Sequence, residues 1–381
     1  MKDKSLLHNY LNNLISYILL CVYKIILPKA EVGNVLLLIN TGQIGDLVIS
    51  TVILNNRARL LAIFDRIFFL VKEEYSIILE SFDEIGVIKW NQGKFNSNPI
   101  YRFKLLKNLR KIGLNLCINL TAARGVSNDT LALLSGANKT IALNSNYRYL
   151  IKLLGKHLDK LYSTILAQDV ANEYYKHLKV LHFLGFKDYE TDTIFPIKSK
   201  TLKLVSSKLE FNNNTTIKIV IAPFTDIPIK NWEVEKYAKL LDLLLSEFKN
   251  IVIFIYGSSN QKTSIDKNIP LKSKRILNLA GKHNISESAA ILSKCNLFIG
   301  NDSGFTHIAK ALKIPLVAII GGGSNGYFIP YNEKSNESYL YQNMDCFGCE
   351  WRCVHEKAYC LTNVSVKKVF FEVKRLLNEN P

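Results

Sequence analysis

Short, almost wholly apolar runs recur along this chain, each closed by a polar or glycine-bearing turn and followed by a stretch of helical periodicity. The runs fall at residues 35–39, 67–71, 116–120, 140–143, 217–222, 251–256, 297–299 and 316–320. Strands wetted on one face alternate apolar and polar residues, whereas strands buried on both faces read as continuous Val, Ile and Leu. Apolar strands separated by helices are the signature of parallel sheets covered on both sides, so the expected class is α/β with doubly wound sheets. Residues 196–216 break the rhythm with a Lys, Ser and Asn-rich stretch that ends in the run Asn212, Asn213, Asn214. A domain boundary is expected there.

The start of the chain has a different pattern. Leu7, Leu11, Leu14, Ile18, Val22 and Ile25 form a helical stripe opposite His8, Asn9, Asn12 and Asn13. Residues 14–26 are nearly all apolar, yet they are too few to span a bilayer, are interrupted by Lys24, and lead to no small-residue cleavage site. Two readings stay open. With Lys2, Lys4, Lys24 and Lys29 nearby the helix can lie on an anionic leaflet, or it can dock on the protein's own core. The expected organisation is an apolar and basic helix at 1–31, one α/β domain at 32–200, a second at 216–362, and a C-terminal helix at 363–381.

A length of 381 residues favours two cores over one. The 49 basic and 32 acidic residues give a formal charge of +17, which favours anionic partners without choosing among them. No arginine-rich run or aromatic-basic interleaving points to nucleic acid. Of seven cysteines, Cys21, Cys117 and Cys295 sit in apolar runs and read as reduced, buried thiols of a reducing compartment. Cys346, Cys349, Cys353 and Cys360 are clustered, with His355 among them. Such spacing can hold a structural metal that staples a loop, or a disulfide pair, or free thiols.

Two turns carry candidate chemistry. Residues 40–46, NTGQIGD, follow the first strand, at the edge where open α/β sheets place their ligands. They lack the third glycine of the dinucleotide fingerprint. Asp46 lies at a helix start, where the dipole favours an ionised carboxylate able to accept a proton; simple complementation of that dipole is the plainer alternative. Residues 298–312, FIGNDSGFTHIAKAL, break from a strand into a helix with Ser303 as its expected cap and Gly304 leaving the backbone open. The free N–H groups of such a helix suit an anion. Lys230, in the loop after the 217–222 strand, can meet a diphosphate as a point charge or be an ordinary solvated lysine.

Four segments in register, LLLINTGQIGDLVIST, IAPFTDIPIKNWEVEKYAKLL, NLAGKHNISESAAILSKCNLFIGNDSGFTHIAKAL and IIGGGSNGYFIPYN, resemble glycosyltransferase family 9, the heptosyltransferases of lipopolysaccharide synthesis. The resemblance runs from about Val35 to the C-terminus. It implies a GT-B fold, two Rossmann-like domains facing across a cleft, and an inverting transfer of heptose or a related sugar from an ADP-sugar or other sugar nucleotide. The acceptor implied is lipopolysaccharide core or another surface glycan, reached from the cytoplasmic face of the membrane. By the resemblance Asp46 is the general base. Thr41, Gly42, Lys230, Asp302, Ser303, Gly304 and His307 line the donor, and no cofactor or catalytic metal is implied. This sequence departs from many relatives at Asn40, where Arg or Lys is usual, and at Asn119, where Asp is frequent. A member that binds sugar nucleotide or glycan without turnover is the alternative these departures leave open.

Overall fold

The computed structural model describes residues 18, 20–145, 152–208, 216–269 and 273–379. They divide into two compact units between Thr191 and Asp192, and each unit is built on a six-stranded parallel sheet.

In the first unit the strands are β1 (Val35–Asn40), β2 (Arg66–Lys72), β3 (Ile85–Trp90), β4 (Leu114–Asn119), β5 (Lys139–Leu143) and β6 (Thr164–Leu166). Their order across the sheet is β3-β2-β1-β4-β5-β6. In the second unit β7 (Ile217–Ala222), β8 (Ile251–Ile255), β9 (Ile276–Asn278), β10 (Leu297–Asn301), β11 (Leu316–Ile319) and β12 (Glu337–Leu340) are ordered β12-β11-β10-β7-β8-β9. Counted from each unit's own first strand, both sheets have the winding order 3-2-1-4-5-6 of a dinucleotide-type α/β fold. In both, the winding reverses beside the first strand. The loops leaving β1 and β4, and those leaving β7 and β10, therefore lie side by side at the carboxyl edge, where such folds bind ligands.

Every strand named from apolar runs is an interior strand. The four that the runs did not reveal, β3, β6, β9 and β12, are the four sheet edges. β6 and β9 are three residues long, and β12 reads Glu-Ser-Tyr-Leu, with polar and apolar residues mixed. An edge strand needs only one paired side and one covered face, so it carries no continuous apolar signature.

The division at Thr191/Asp192 lies before the expected break at 196–216. A helix at Ser199–Lys208 packs on the helix Ile285–Leu292 and so belongs with the second unit. The C-terminal helix Val366–Glu379 likewise buries Val369, Val373, Leu376 and Leu377 in the second unit's core, against the helix Val234–Glu247. Most of the expected N-terminal helix, residues 1–17 and 19, lies outside the described residues. Its continuation, residues 20–26, is helical, and Leu20, Tyr23 and Leu27 enter the first unit's core. Ile18, Val22, Ile25 and Ile26 are exposed on it, beside exposed Lys24. Among the described residues no helix is long and apolar enough to cross a membrane.

Candidate active site

In the first unit the chain leaves β1 at Asn40, turns through Thr41 and Gly42, and enters the helix Ile44–Asn55. Asp46 sits in its first turn, and its Oδ2 accepts the backbone N–H of Gln43 at 2.7 Å. The turn is closed from beneath by Asn40, which is buried. Its Oδ1 accepts the Gly42 N–H at 2.9 Å while its Nδ2 donates to the Asp46 carbonyl at 3.1 Å and to Ser50 Oγ. Asn40 thus shapes the loop, which a lysine or arginine at this position would do differently. Gly42 is required by space: a Cβ there would lie 2.4 Å from Asp46 Oδ2. Thr41 is buried and its hydroxyl faces Thr121 at 3.3 Å and Asn128 at 3.3 Å, in the loop and helix that follow β4. Asp46 and Gly42 therefore stand together at the carboxyl edge, with Thr41 fastening the two neighbouring loops.

Behind Asp46 lies a buried polar layer that the sequence reading did not single out. Ser50 Oγ lies 2.9 Å from the Asp46 carbonyl and 3.2 Å from His177 Nε2. His177 Nδ1 donates to the Glu173 carbonyl at 2.6 Å. Burial lowers the His177 pKa to about 4, so the ring is neutral near pH 7. The Glu173 carboxyl is paired with Lys176 at 2.7 Å, and its Oε2 has no hydrogen-bond partner. Burial above all, with the Asp46 charge adding to it, pushes the Glu173 pKa up to about 7 against the pull of Lys176. A second buried group sits further along the sheet. Arg124 pairs with Asp129 at 3.0 Å and Asp159 at 2.6 Å, and Asn119 Nδ2 donates to Asp129 Oδ1 at 3.2 Å and to the Tyr162 hydroxyl at 3.1 Å. Asn119 is here a donor to an existing carboxylate, a role an aspartate cannot fill.

In the second unit the turn after β10 meets the loop after β7. Asn301, the last residue of β10, accepts the Trp232 N–H at 2.9 Å and donates to the Pro223 carbonyl at 2.7 Å, joining both. Lys230, in a short turn Pro228–Lys230, places its Nζ 3.2 Å from Asp302 Oδ2. His307 Nε2 lies 4.0 Å from Asp302 Oδ1, and the Ser324 hydroxyl donates to Asp302 Oδ2 at 3.3 Å. Burial lowers the His307 pKa to about 4, so the ring is neutral near pH 7. The helix Gly304–Ala311 begins at Ser303, whose extended backbone marks it as the N-cap although its side chain makes no capping bond. The first-turn N–H groups of Gly304 and Phe305 have no acceptor within the helix. Lys230, Asp302, Ser303, Gly304 and His307 are thus gathered into one polar corner.

The cysteine loop adjoins that corner. Cys346, Cys349, Cys353 and Cys360 line one cavity of about 10 Å³, together with His355, Trp351, Gly322 and Gly323. All four are free thiols, and among the described residues no group of three His, Cys, Asp or Glu side chains is close enough to hold a metal ion. A larger cavity of about 270 Å³ lies around the other end of the Gly304–Ala311 helix. Its charges are already matched: Lys310 with Glu337 at 2.6 Å, and Lys313 and Lys334 with Asp192 at 2.9 and 3.1 Å.

Residues 102–355 match glycosyltransferase family 9 (heptosyltransferase), a stretch that includes Lys230 and the 302–307 turn and begins after Asp46. Lipopolysaccharide heptosyltransferase 3 of Escherichia coli is 26% identical over 231 residues, 60% of this chain and 65% of that protein. The chain thus spans just under two thirds of that relative's length. A family 9 glycosyltransferase from Veillonella parvula superposes with a TM-score of 0.73 at 19% identity, over 91% of this chain and 98% of the other. The Escherichia coli ADP-heptose LPS heptosyltransferase II superposes with 0.68 at 17% identity, over 90% and 98%. Both superpositions take in both units, so the chain shares the GT-B fold of those proteins.

Proposed function

The chain belongs to glycosyltransferase family 9, and from that premise we propose that it transfers heptose or a related sugar from an ADP-sugar, with inversion, to lipopolysaccharide core or another surface glycan. The observation that carries this reading is the corner formed by Lys230, Asp302, His307 and an uncapped helix start at the carboxyl edge of the second sheet. A cation beside free helix N–H groups suits a diphosphate. A carboxylate and a neutral histidine suit the hydroxyl groups of a sugar.

Asp46 is the proposed general base. Its carboxylate takes the proton of the acceptor hydroxyl as that oxygen attacks the anomeric carbon. The bond from that carbon to the diphosphate breaks, and the nucleoside diphosphate leaves with the electron pair. The charge building on it is met by Lys230 and by the N–H groups of Gly304 and Phe305. Gly42 and Thr41 hold the Asp46 turn in shape.

Nucleoside diphosphate release from a panel of sugar nucleotides, with lipopolysaccharide core acceptors, tests the reading. Turnover with an ADP-sugar that Asp46→Ala lowers by 10²-fold or more is expected. Undiminished activity in the variant removes Asp46 from the mechanism, and nucleotide binding without transfer to any acceptor refutes the transferase reading itself.

The exposed Ile18, Val22, Ile25 and Ile26 beside Lys24 and Lys29 support a peripheral contact with an anionic membrane surface. Leu20 and Tyr23 of the same helix, and Leu27 just after it, are core residues, so docking on the protein and facing a bilayer are two faces of one helix. Ile25→Asp with Ile26→Asp leaves the core face intact. It is expected to abolish sedimentation with phosphatidylglycerol vesicles, and retained sedimentation excludes this face.

A further inference from the structure

Two features of the sequence have no part in the reaction described above: the Gly321, Gly322, Gly323 run after β11, and the cysteine loop. In the structure each explains the other. A Cβ on Gly321 would lie 2.5 Å from the Trp351 ring, one on Gly322 would lie 2.1 Å from the Phe347 ring, and one on Gly323 would lie 2.4 Å from Trp351 again. The three glycines form a bare backbone floor against which two aromatic rings of the loop pack too closely for any side chain. Backbone bonds fix the loop to that floor: Gly348 N–H to the Gly322 carbonyl at 2.8 Å and Glu350 N–H to the Gly323 carbonyl at 2.9 Å. In the other direction, the Gly322 N–H donates to Cys360 Sγ at 3.3 Å.

The loop is also bent to aim one side chain. Glu350 and Trp351 are consecutive residues in the left-handed region, with φ of 50° and 64°. For a bulky side chain this is a strained conformation that persists only when the surroundings impose it. What it delivers is the Trp351 indole to the polar corner. Lys230 Nζ lies 5.2 Å from the centre of a Trp351 ring, within cation–π range. Trp351 Nε1 donates to Ser324 Oγ at 3.2 Å, and that hydroxyl in turn donates to Asp302 Oδ2, the same oxygen that Lys230 approaches.

We infer that Trp351 is a positioning residue of the donor site, which holds the Lys230 ammonium and the Ser324 hydroxyl in place for the diphosphate of the sugar nucleotide. A lysine stem has four rotatable bonds, and its ammonium is free to point in many directions. An indole face on one side and a carboxylate on another leave it one main direction for its remaining donors. That prior ordering lowers the entropy lost when the diphosphate arrives. The glycine run and the loop are, on this account, the mount for that indole.

The inference rests on the proposed sugar-nucleotide reading of the second unit, and calorimetric titration with ADP separates the two. Wild type is expected to bind ADP and Trp351→Leu to bind it about tenfold more weakly, as the loss of both a desolvated cation–π contact and a hydrogen bond requires. Trp351→Phe keeps a ring and loses only the N–H, so it is expected to fall between them, and it guards against a leucine variant that does not fold. In a Lys230→Ala background Trp351→Leu is expected to keep only the part of its effect that passes through Ser324, so the two effects fall clearly short of adding, which a merely structural role would not produce. No binding of any nucleoside diphosphate by the wild type overturns the functional reading, and this inference with it. Binding that both Trp351 variants leave unchanged, or Trp351 and Lys230 effects that add in full, overturns this inference alone.

Discussion

Replacing Gly42 by alanine is expected to misplace Asp46 without removing it. A Cβ on residue 42 would lie 2.4 Å from Asp46 Oδ2, 2.7 Å from its Cγ and 2.6 Å from its Cβ. Turning the carboxyl can clear the first two contacts. The third atom is fixed to the helix backbone, so the first helical turn has to move as well. Restoring ordinary contact at 3.4 Å needs a shift of about 1 Å at the carboxylate. A misplacement of that size costs a catalytic group about 10² in rate, or about 2.7 kcal/mol in the barrier. The Gln43 N–H bond to Oδ2 weakens too, which removes about 1 kcal/mol of stability and lowers the first unit's melting temperature by about 3 °C. Steady-state release of nucleoside diphosphate measures the effect, with Asp46→Ala as the floor. Gly42→Ala should lower kcat about 100-fold and leave ADP affinity in the second unit unchanged. A kcat within threefold of wild type would refute the reasoning, because it would show that an Asp46 moved by a methyl group still works or does not matter.

Asn119→Asp should destabilise the first unit by about 3 kcal/mol, since it turns a donor to Asp129 into a second buried carboxylate for Arg124 to compensate. Calorimetry should then show a melting temperature about 10 °C lower; a fall under 2 °C would mean that the network rearranges freely. The two units should also respond differently to acid. In the second, His307 has a folded pKa of about 4 against an ordinary 6.5, so the folded unit binds fewer protons and its stability is lost as pH falls from 6.5 towards 4. In the first, His177 acts in the same sense, but Glu173, raised from 4.5 to about 7, stabilises as pH falls from 7 towards 4.5. These two nearly cancel between pH 4.5 and 6.5. Hydrogen exchange followed by mass spectrometry should therefore show the second unit losing protection by about tenfold per pH unit while the first holds. His307→Gln should remove the difference, and parallel loss in both units would show that other groups govern acid unfolding.

How much of this was legible in the sequence depended on how each residue earns its place. Interior strands announce themselves because burial on both faces leaves no room for polar side chains, as in VLLLIN of β1 and LFIGN of β10. Edge strands such as ESYL of β12 answer to one neighbour only, and local composition cannot separate them from loops. The domain boundary shows the same limit. A polar stretch marks where the chain is wet, but the helix Ser199–Lys208 within it is claimed by a contact with residues 285–292 that no local pattern contains. At the candidate site, Asp46, Lys230 and the 302–307 turn were visible because their chemistry is tied to a strand end or a helix start. Asn301, Ser324 and Trp351 were not, because each acts on a residue 22 or more positions away: Asn301 on Trp232, Ser324 on Asp302, Trp351 on Lys230.

That division has a consequence for how the site tolerates change. A residue that meets the ligand directly is constrained by the ligand's chemistry, and its substitution is felt in the reaction alone. A residue that holds another is constrained by geometry, and its role can pass to a different side chain if the geometry is kept. Asn40 illustrates the second kind. It is buried and makes three hydrogen bonds that set the Gly42 and Asp46 turn. Its part is to hold the turn that carries Asp46, the proposed base. Asn40 is buried, so Asn40→Lys should break the bonds of the turn, lower kcat and kcat/KM together, and lower the melting temperature of the first unit. An unchanged kcat in a folded Asn40→Lys variant would show that the turn keeps its shape without those bonds.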